Sequence, residues 1–276
     1  MEIDRLMEKI GLSECAVQFV KNFKMPEKVY QEWKELFDTD LKAFFKKGEE
    51  TENFEQTVLY LYVHFAAEAW KWFCEEGISE EVYMLNMRDI AIWANAYEKK
   101  NGCPGLREAG WISLSLRGKL FRLGRLQFEP IELEKEIKTE NNTYPQGMKV
   151  LNVHIPEDGK LSKDACQEAF EKAEVFFKDR GFTGENVYVC ESWLLSPVLK
   201  HFLGEESNII DFQNRFEVYD IVYPFRQAEE RIFGDISEDR QSYPETTSLQ
   251  RSFKGWLMEH PEDIGMGVGV FQYKER

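Results

Sequence analysis

The sequence contains only five cysteines and four histidines in 276 residues. The cysteines, Cys15, Cys74, Cys103, Cys166 and Cys190, are widely spread and form no C-x-x-C pair. That pattern opposes a disulfide framework or a zinc knuckle and favours reduced thiols. With no H-E-x-x-H motif and no close histidine pair, no metal site is expected. Long apolar runs are missing too: YLYVHFAAEAWKWF is cut by His64, Glu68 and Lys71, so it does not read as a membrane span. The opening MEIDRLMEK lacks the basic and apolar regions of a secretory signal, and a cytoplasmic location is expected. Positive charge is scarce. Lysine and arginine number 35 against 50 acidic residues, for a formal net charge of -15. Nucleic acid and anionic membranes both require a basic footprint, so neither is an expected partner. No internal repeat or low-complexity segment is found.

What is present is a long helical stretch followed by mixed structure. Val29, Trp33, Leu36 and Phe37 form one apolar stripe, Phe54, Val58, Leu61, Phe65, Ala69 and Phe73 a second, and Val82, Leu85, Ile90, Trp93, Ala94 and Tyr97 a third. The breaker cluster NGCPG then ends a helical domain at residues 1–105, leaving 106–276 as a second domain. There WISLSL alternates as a strand, Arg117-Gly118 supplies a two-residue turn, and KLFRLGRLQFEPIEL returns with a phase slip that suggests a bulge at Gly124.

The most informative stretch comes next. KVLNVHI alternates Leu151, Val153 and Ile155 on one face with Val150, Asn152 and His154 on the other. Pro156 and Gly159 stop this strand, and Ser162 is placed to cap a helix carrying Ala165, Ala169, Phe170, Ala173, Phe176 and Phe177. After Gly181 and Gly184 the strand VYVC leads into a helix through CESWLLSPVLKHF. Strands joined by a helix are parallel, and the open end of such a pair is where α/β units bind ligands. FEVYDIVY reads as a strand, PFRQAEERIF and SLQRSFKGWLMEH as helices, and MGVGVF as a last strand. Thr247 and Gln250 fit a capping box. The fold class expected is α+β, a helical N-terminal part followed by a mixed sheet flanked by helices.

GWISLSLRGKLFRLGRLQFE, HIPEDGKLS, CESWLLSP and TSLQR together resemble a two-domain GNAT-like acyltransferase family, with a helical N-terminal domain and a GNAT-like C-terminal domain. The resemblance implies N-acyl transfer from acetyl-CoA or another acyl-CoA to an amine acceptor, so that the partners are a small acyl donor and a small acceptor. It also implies that the donor pyrophosphate meets the strand-to-helix loop, through Gly159, Lys160, Leu161, Ser162 and Lys163. Here the chain departs from the pattern. Typical members carry Q/R-x-x-G-x-G/A, whereas PEDGKLSK has one glycine and two acids, Glu157 and Asp158. An ordinary capped turn fits the loop equally well. The alternative function is therefore a non-catalytic binding or regulatory protein on a degenerate acyltransferase scaffold.

His154, at the strand exit, is placed to be a general base or a hydrogen-bonded structural residue. Glu191 is its expected base partner or orienter, and Ser192 either joins them or caps the following segment. Asn152 and Trp193 complete the candidate substrate site, together with Arg251, which points away from its helix's packed stripe and is either solvated or aimed at the site. Cys190 with His154 offers a covalent route, against which stands the inertness of buried strand cysteines. Arg117, Lys119, Arg122 and Arg125 gather charge on the expected hairpin, to meet phosphates or to protect an edge. Gly267 and Gly269 share a strand face and permit close approach of a backbone or ligand.

Overall fold

The computed structural model describes residues 1–182, 186–260, 262 and 264–273, so Gly184 lies outside the described residues. The chain divides into two compact units, Met1–Arg122 and Leu123–Arg276.

The first unit is helical: α1 (Ile3–Ile10), α2 (Glu14–Asn22), α3 (Glu27–Thr39), α4 (Leu41–Glu49), α5 (Phe54–Glu75), α6 (Glu80–Asn101) and α7 (Ala109–Leu116). Side-chain caps set several starts, with Ser13, Asp40 and Ser79 accepting from the N–H of Ala16, Ala43 and Val82. The stripe on α5 faces inward along most of its length, whereas on α6 the buried face runs through Tyr83, Met87, Ile90 and Ala94, leaving the predicted Val82, Leu85, Trp93 and Tyr97 half-buried. Val58, Leu61 and Phe73 of α5 are fully buried, as is Ile90 of α6. Aromatic edges fill the core, Phe37 meeting Phe44 and Tyr62 at ring separations of 5.4 and 5.5 Å. Near the end of the unit Asn86 binds the backbone on both sides of Phe121, donating to the Leu120 carbonyl and accepting from the Arg122 N–H.

The expected strand WISLSL is instead part of α7, a correction with a physical cause. Its alternation of apolar and small residues suits a strand only if the serines face water. Ser113 and Ser115 are buried along with Ile112 and Leu116, and the Ser113 hydroxyl donates back to the Gly110 carbonyl at 2.7 Å, a helix-internal bond. Arg117-Gly118 therefore ends a helix. The hairpin lies farther on, between β1 (Phe121–Leu123) and β2 (Leu126–Glu132). Its turn is Gly124-Arg125, with Gly124 at φ +77°, so the phase slip across Gly124 marks a turn and not a bulge.

Next come β3 (Ile137–Lys138), β4 (Thr143–Tyr144), β5 (Lys149–His154), α8 (Lys163–Lys178), β6 (Val187–Ser192), α9 (Asn208–Gln213), β7 (Glu217–Val222), α10 (Gln227–Phe233), α11 (Ser248–Glu259) and β8 (Met266–Gln272). The main sheet has the order β1-β2-β5-β6-β8-β7, with β3 and β4 pairing separately. β5 and β6 run parallel, whereas β2 with β5, β6 with β8 and β7 with β8 run antiparallel. This is the α+β class with a mixed sheet that the sequence predicts. The Thr247–Gln250 capping box is present in full. The helix expected after β6 breaks into two 3-10 segments, Trp193–Leu195 and Pro197–His201. Pro197 supplies no N–H to carry a continuous α-helix across that point.

One face of the sheet packs on α8, where Phe170 meets Phe128 and Tyr188 at ring separations of 5.8 and 4.9 Å. On the opposite face Ile137 and Tyr144 of the β3–β4 hairpin join Val150, Val187, Val189 and Val270 in a second apolar cluster. That cover lies over the early residues of β5 and β6. Asn152, His154 and Glu191 continue the same face beyond it, and they are half-buried or exposed.

Candidate active site

β5 and β6 separate where the expected ligand end begins. Their ladder consists of Leu151 with Tyr188 and Asn152 with Val189. Each strand is meanwhile paired over six residues with its other neighbour, β2 or β8. Past Asn152 and Val189 the two no longer bond each other, so Val153 and His154 form one bank of a gap and Cys190 to Ser192 the other. Backbone groups that border such a gap suit an extended polar ligand.

On the open face the His154 Nε2 lies 3.0 Å from Glu129 Oε2, with the two side chains 23% and 21% exposed. Antiparallel register explains the contact: Gln127 stands opposite His154 and Glu129 opposite Asn152, so Glu129 reaches His154 diagonally. Sequence reasoning missed Glu129. The only available signal was its alternation with Gln127 and Ile131 on the return strand, which does not reveal the pairing partner.

Glu191 was the expected partner of His154. It lies on the same face across the gap, two residues beyond Val189 as His154 is two beyond Asn152, and it is exposed. Asn152 stands between Glu129 and Val189 in the register. Ser192 is buried and caps the first 3-10 segment, its hydroxyl accepting from the Leu194 N–H at 3.2 Å. Trp193 packs on the cluster of Leu199, Phe253 and Leu257. Arg251 donates from Nη1 to the Glu245 carbonyl at 2.9 Å, just before α11. The structure thus brings Asn152, His154 and Glu191 to one face, leaves Ser192 beneath it, and ties Trp193 and Arg251 elsewhere. Cys190 alternates to the other face and is fully buried. Burial, and then the nearby Glu191, push its thiol far up, which leaves no thiolate to pair with His154.

Below the gap, Gly159 takes φ +85° and Ser162 caps α8 by accepting from the Ala165 N–H. The Lys160 carbonyl accepts from Arg125 Nε at 3.0 Å. Lys163 is exposed and lies 3.4 Å from Asp211, while its carbonyl accepts from Arg215 Nη2 at 3.2 Å. Leu161 is half-buried. The four basic residues expected together are not one patch: Arg122 is buried against Asp89, 3.9 Å away, within the first unit.

Two glycines support the far bank. A Cβ on Gly267 would meet the Leu195 carbonyl oxygen at 2.4 Å, and one on Gly269 would meet Phe216 Cβ at 2.9 Å. The segment leaving β6 therefore rests directly on β8, the close approach expected of this glycine pair. An open cavity of about 1000 Å³ lies apart from these residues, lined by Tyr223, Pro224, Arg226, Arg240, Leu257 and Met258 among others. Arg226 and Arg240 there are both bonded to the buried Glu229. Among the described residues no group of three or more potential metal-ligating side chains is assembled, and no helix is long and apolar enough to cross a membrane.

The family described as a GNAT-like C-terminal domain matches residues 120–271, and the N-acyltransferase N-terminal domain matches residues 1–118. The chain belongs to this acyltransferase family. Solved acyltransferase structures share its fold. One, in complex with decanoyl-CoA and teicoplanin, has 20% identity and a TM-score of 0.76, covering 99% of this chain and 88% of that one. A variant in complex with octanoyl-CoA has 20% identity and a TM-score of 0.77, covering 98% and 87%. No curated protein matches the sequence. Within the family's C-terminal domain, the parted strands and the histidine beside them are the features with chemical potential.

Proposed function

We propose that the protein transfers an acyl group from an acyl-CoA, acetyl-CoA or a longer species, to an amine, with the thioester lying in the gap between β5 and β6. The observation that carries this reading is the gap itself, with a carboxylate-bound histidine on one bank. An Nε2–H donated to Glu129 makes Nδ1 the basic nitrogen of the ring. Once the amine has lost its ammonium proton to bulk water, its nitrogen attacks the thioester carbon and the C–S bond breaks. His154 takes the proton released from nitrogen, and the sulfur leaves as thiolate to be protonated to free CoA. Glu129 holds the ring and stabilises the imidazolium as it forms. Backbone groups bordering the gap bind the extended arm of the donor. Its phosphates meet the start of α8, where Gly159, Lys160 and Lys163 offset Glu157 and Asp158 and the free helix N–H groups attract anions.

Solved proteins of this fold hold decanoyl-CoA, octanoyl-CoA or CoA, which supports the choice of donor. Calorimetry with acetyl-CoA and longer acyl-CoA species, followed by amine-dependent release of CoA thiol, tests the proposal. Binding with amine-dependent release is expected. Binding without release for any amine would point to the non-catalytic scaffold, and no binding would remove the donor assignment.

A further inference from the structure

Glu191 has no role in the proton transfer just described, yet it occupies a commanding position. It stands level with His154 on the opposite bank of the gap and on the same open face. It is exposed, and no lysine or arginine pairs with it among the described residues. The other carboxylate of the site, Glu129, is already engaged by His154 at 3.0 Å. Beside Glu191 the face continues through Val268, which is opposite it on β8, to Asp220, which is opposite Val268 on β7. Asp220 directs one oxygen to the Ile221 N–H at 2.9 Å. Tyr219, at the irregular step of β7, is half-buried and packs on the same apolar cluster. Burial, with Glu191 and Asp220 behind it, pushes its phenol up to about 12. Tyr219 therefore stays a neutral hydroxyl bordering a negative surface.

We infer that Glu191 is the residue that selects the acceptor, binding it as an alkylammonium ion across the gap from His154. This rests on the acyl-transfer reading. A carboxylate without a cationic partner gains a charge-assisted hydrogen bond from an ammonium group and much less from an alcohol of the same shape. The formal net charge of -15 adds a long-range attraction for cations. The acceptor class is thus a basic primary amine, arriving protonated and surrendering its first proton to bulk water before attack. Tyr219 and Val268 shape the side of the site from which it approaches.

The test uses the full chain with acetyl-CoA, a panel of primary alkylamines and their matched alcohols, and the variant Glu191→Gln, which preserves size at an exposed position. Amines should be acetylated and alcohols should not. In the variant, KM for the amine should rise about tenfold with kcat and KM for acetyl-CoA nearly unchanged. An unchanged amine KM would overturn the inference, as would a native protein that binds and hydrolyses acetyl-CoA but prefers alcohols or accepts no amine. Calorimetry with acetyl-CoA separates the two failures: intact donor binding in native protein and variant keeps the donor assignment standing while the Glu191 role falls. Absent binding removes both.

Discussion

Glu129 and Glu229 are the same side chain in the same unit, and their surroundings put them to opposite uses. Glu229 is 1% exposed. It is gripped by Arg226 through Nε and Nη2 at 2.8 Å each, by the Tyr243 hydroxyl at 2.6 Å and by Arg240 at 3.3 Å. Burial alone would raise its carboxyl, but the bonds from Arg226 and Tyr243 and the charge of Arg240 together hold it below the usual glutamate range. Glu129 is partly exposed and meets a histidine at 3.0 Å. The saturated cluster beside the open cavity is a brace for the helical end of the unit, and it has no lone pair or proton to spare for chemistry. The pair on the open face leaves both side chains partly exposed. A perturbed carboxylate next to a cavity is thus a poor guide to the proposed site, because every charge in it is already spent.

The comparison breaks if the two pairs respond alike to substitution. The largest separation is expected from His154→Ala, which should lower kcat by about 10²–10⁴-fold while leaving acyl-CoA binding and thermal stability close to native, as steady-state kinetics and a melting curve would report. Glu229→Gln should do the reverse. Leaving Arg226 and Arg240 without their buried counter-charge should cost about 3–5 kcal/mol in urea denaturation, with chemistry per folded molecule retained. Loss of activity at full stability in that variant would mean that the brace is part of the site.

Acid sharpens the same contrast. The folded carboxyl of Glu229 lies below its unfolded value, so its contribution to stability is complete above the ordinary glutamate pKa of about 4.3 and drains away as pH falls through the lowered folded value. Denaturant titrations at descending pH should show that acid limb in the native protein and a flatter one in Glu229→Gln. Replacing Lys160 and Lys163 together by glutamate should weaken acyl-CoA binding by about tenfold, read by calorimetry, without unfolding the turn. The smallest effect on stability belongs to Glu129→Gln, less than about 1 kcal/mol for a partly exposed pair. Its signature should instead be a lower kcat with a shifted pH–rate profile.

Much of this was legible in the chain. The alternation of KVLNVHI, the Ser162 cap, the Thr247–Gln250 box and the glycines of MGVGV each report a local rule that the fold obeys. Two kinds of information were not local. Whether WISLSL coils or extends depends on whether Ser113 and Ser115 meet water, which only the surrounding helices decide. That Glu129 serves His154 depends on an antiparallel register across β2 and β5, since residues 25 apart carry no mutual mark in sequence. Glu191, by contrast, was legible because it follows the second strand as His154 ends the first, although its expected bond to His154 is made by Glu129.

The short ladder between β5 and β6 has a consequence for exchange with solvent. Amides directed into the gap are not locked by the neighbouring strand, so in the ligand-free protein they should trade hydrogen for deuterium ahead of those held between β2 and β5. A donor whose arm lies between the banks would slow that exchange at the one residue of each adjacent pair, Val153 or His154 and Cys190 or Glu191, whose N–H turns into the gap, tracing its path before any turnover occurs.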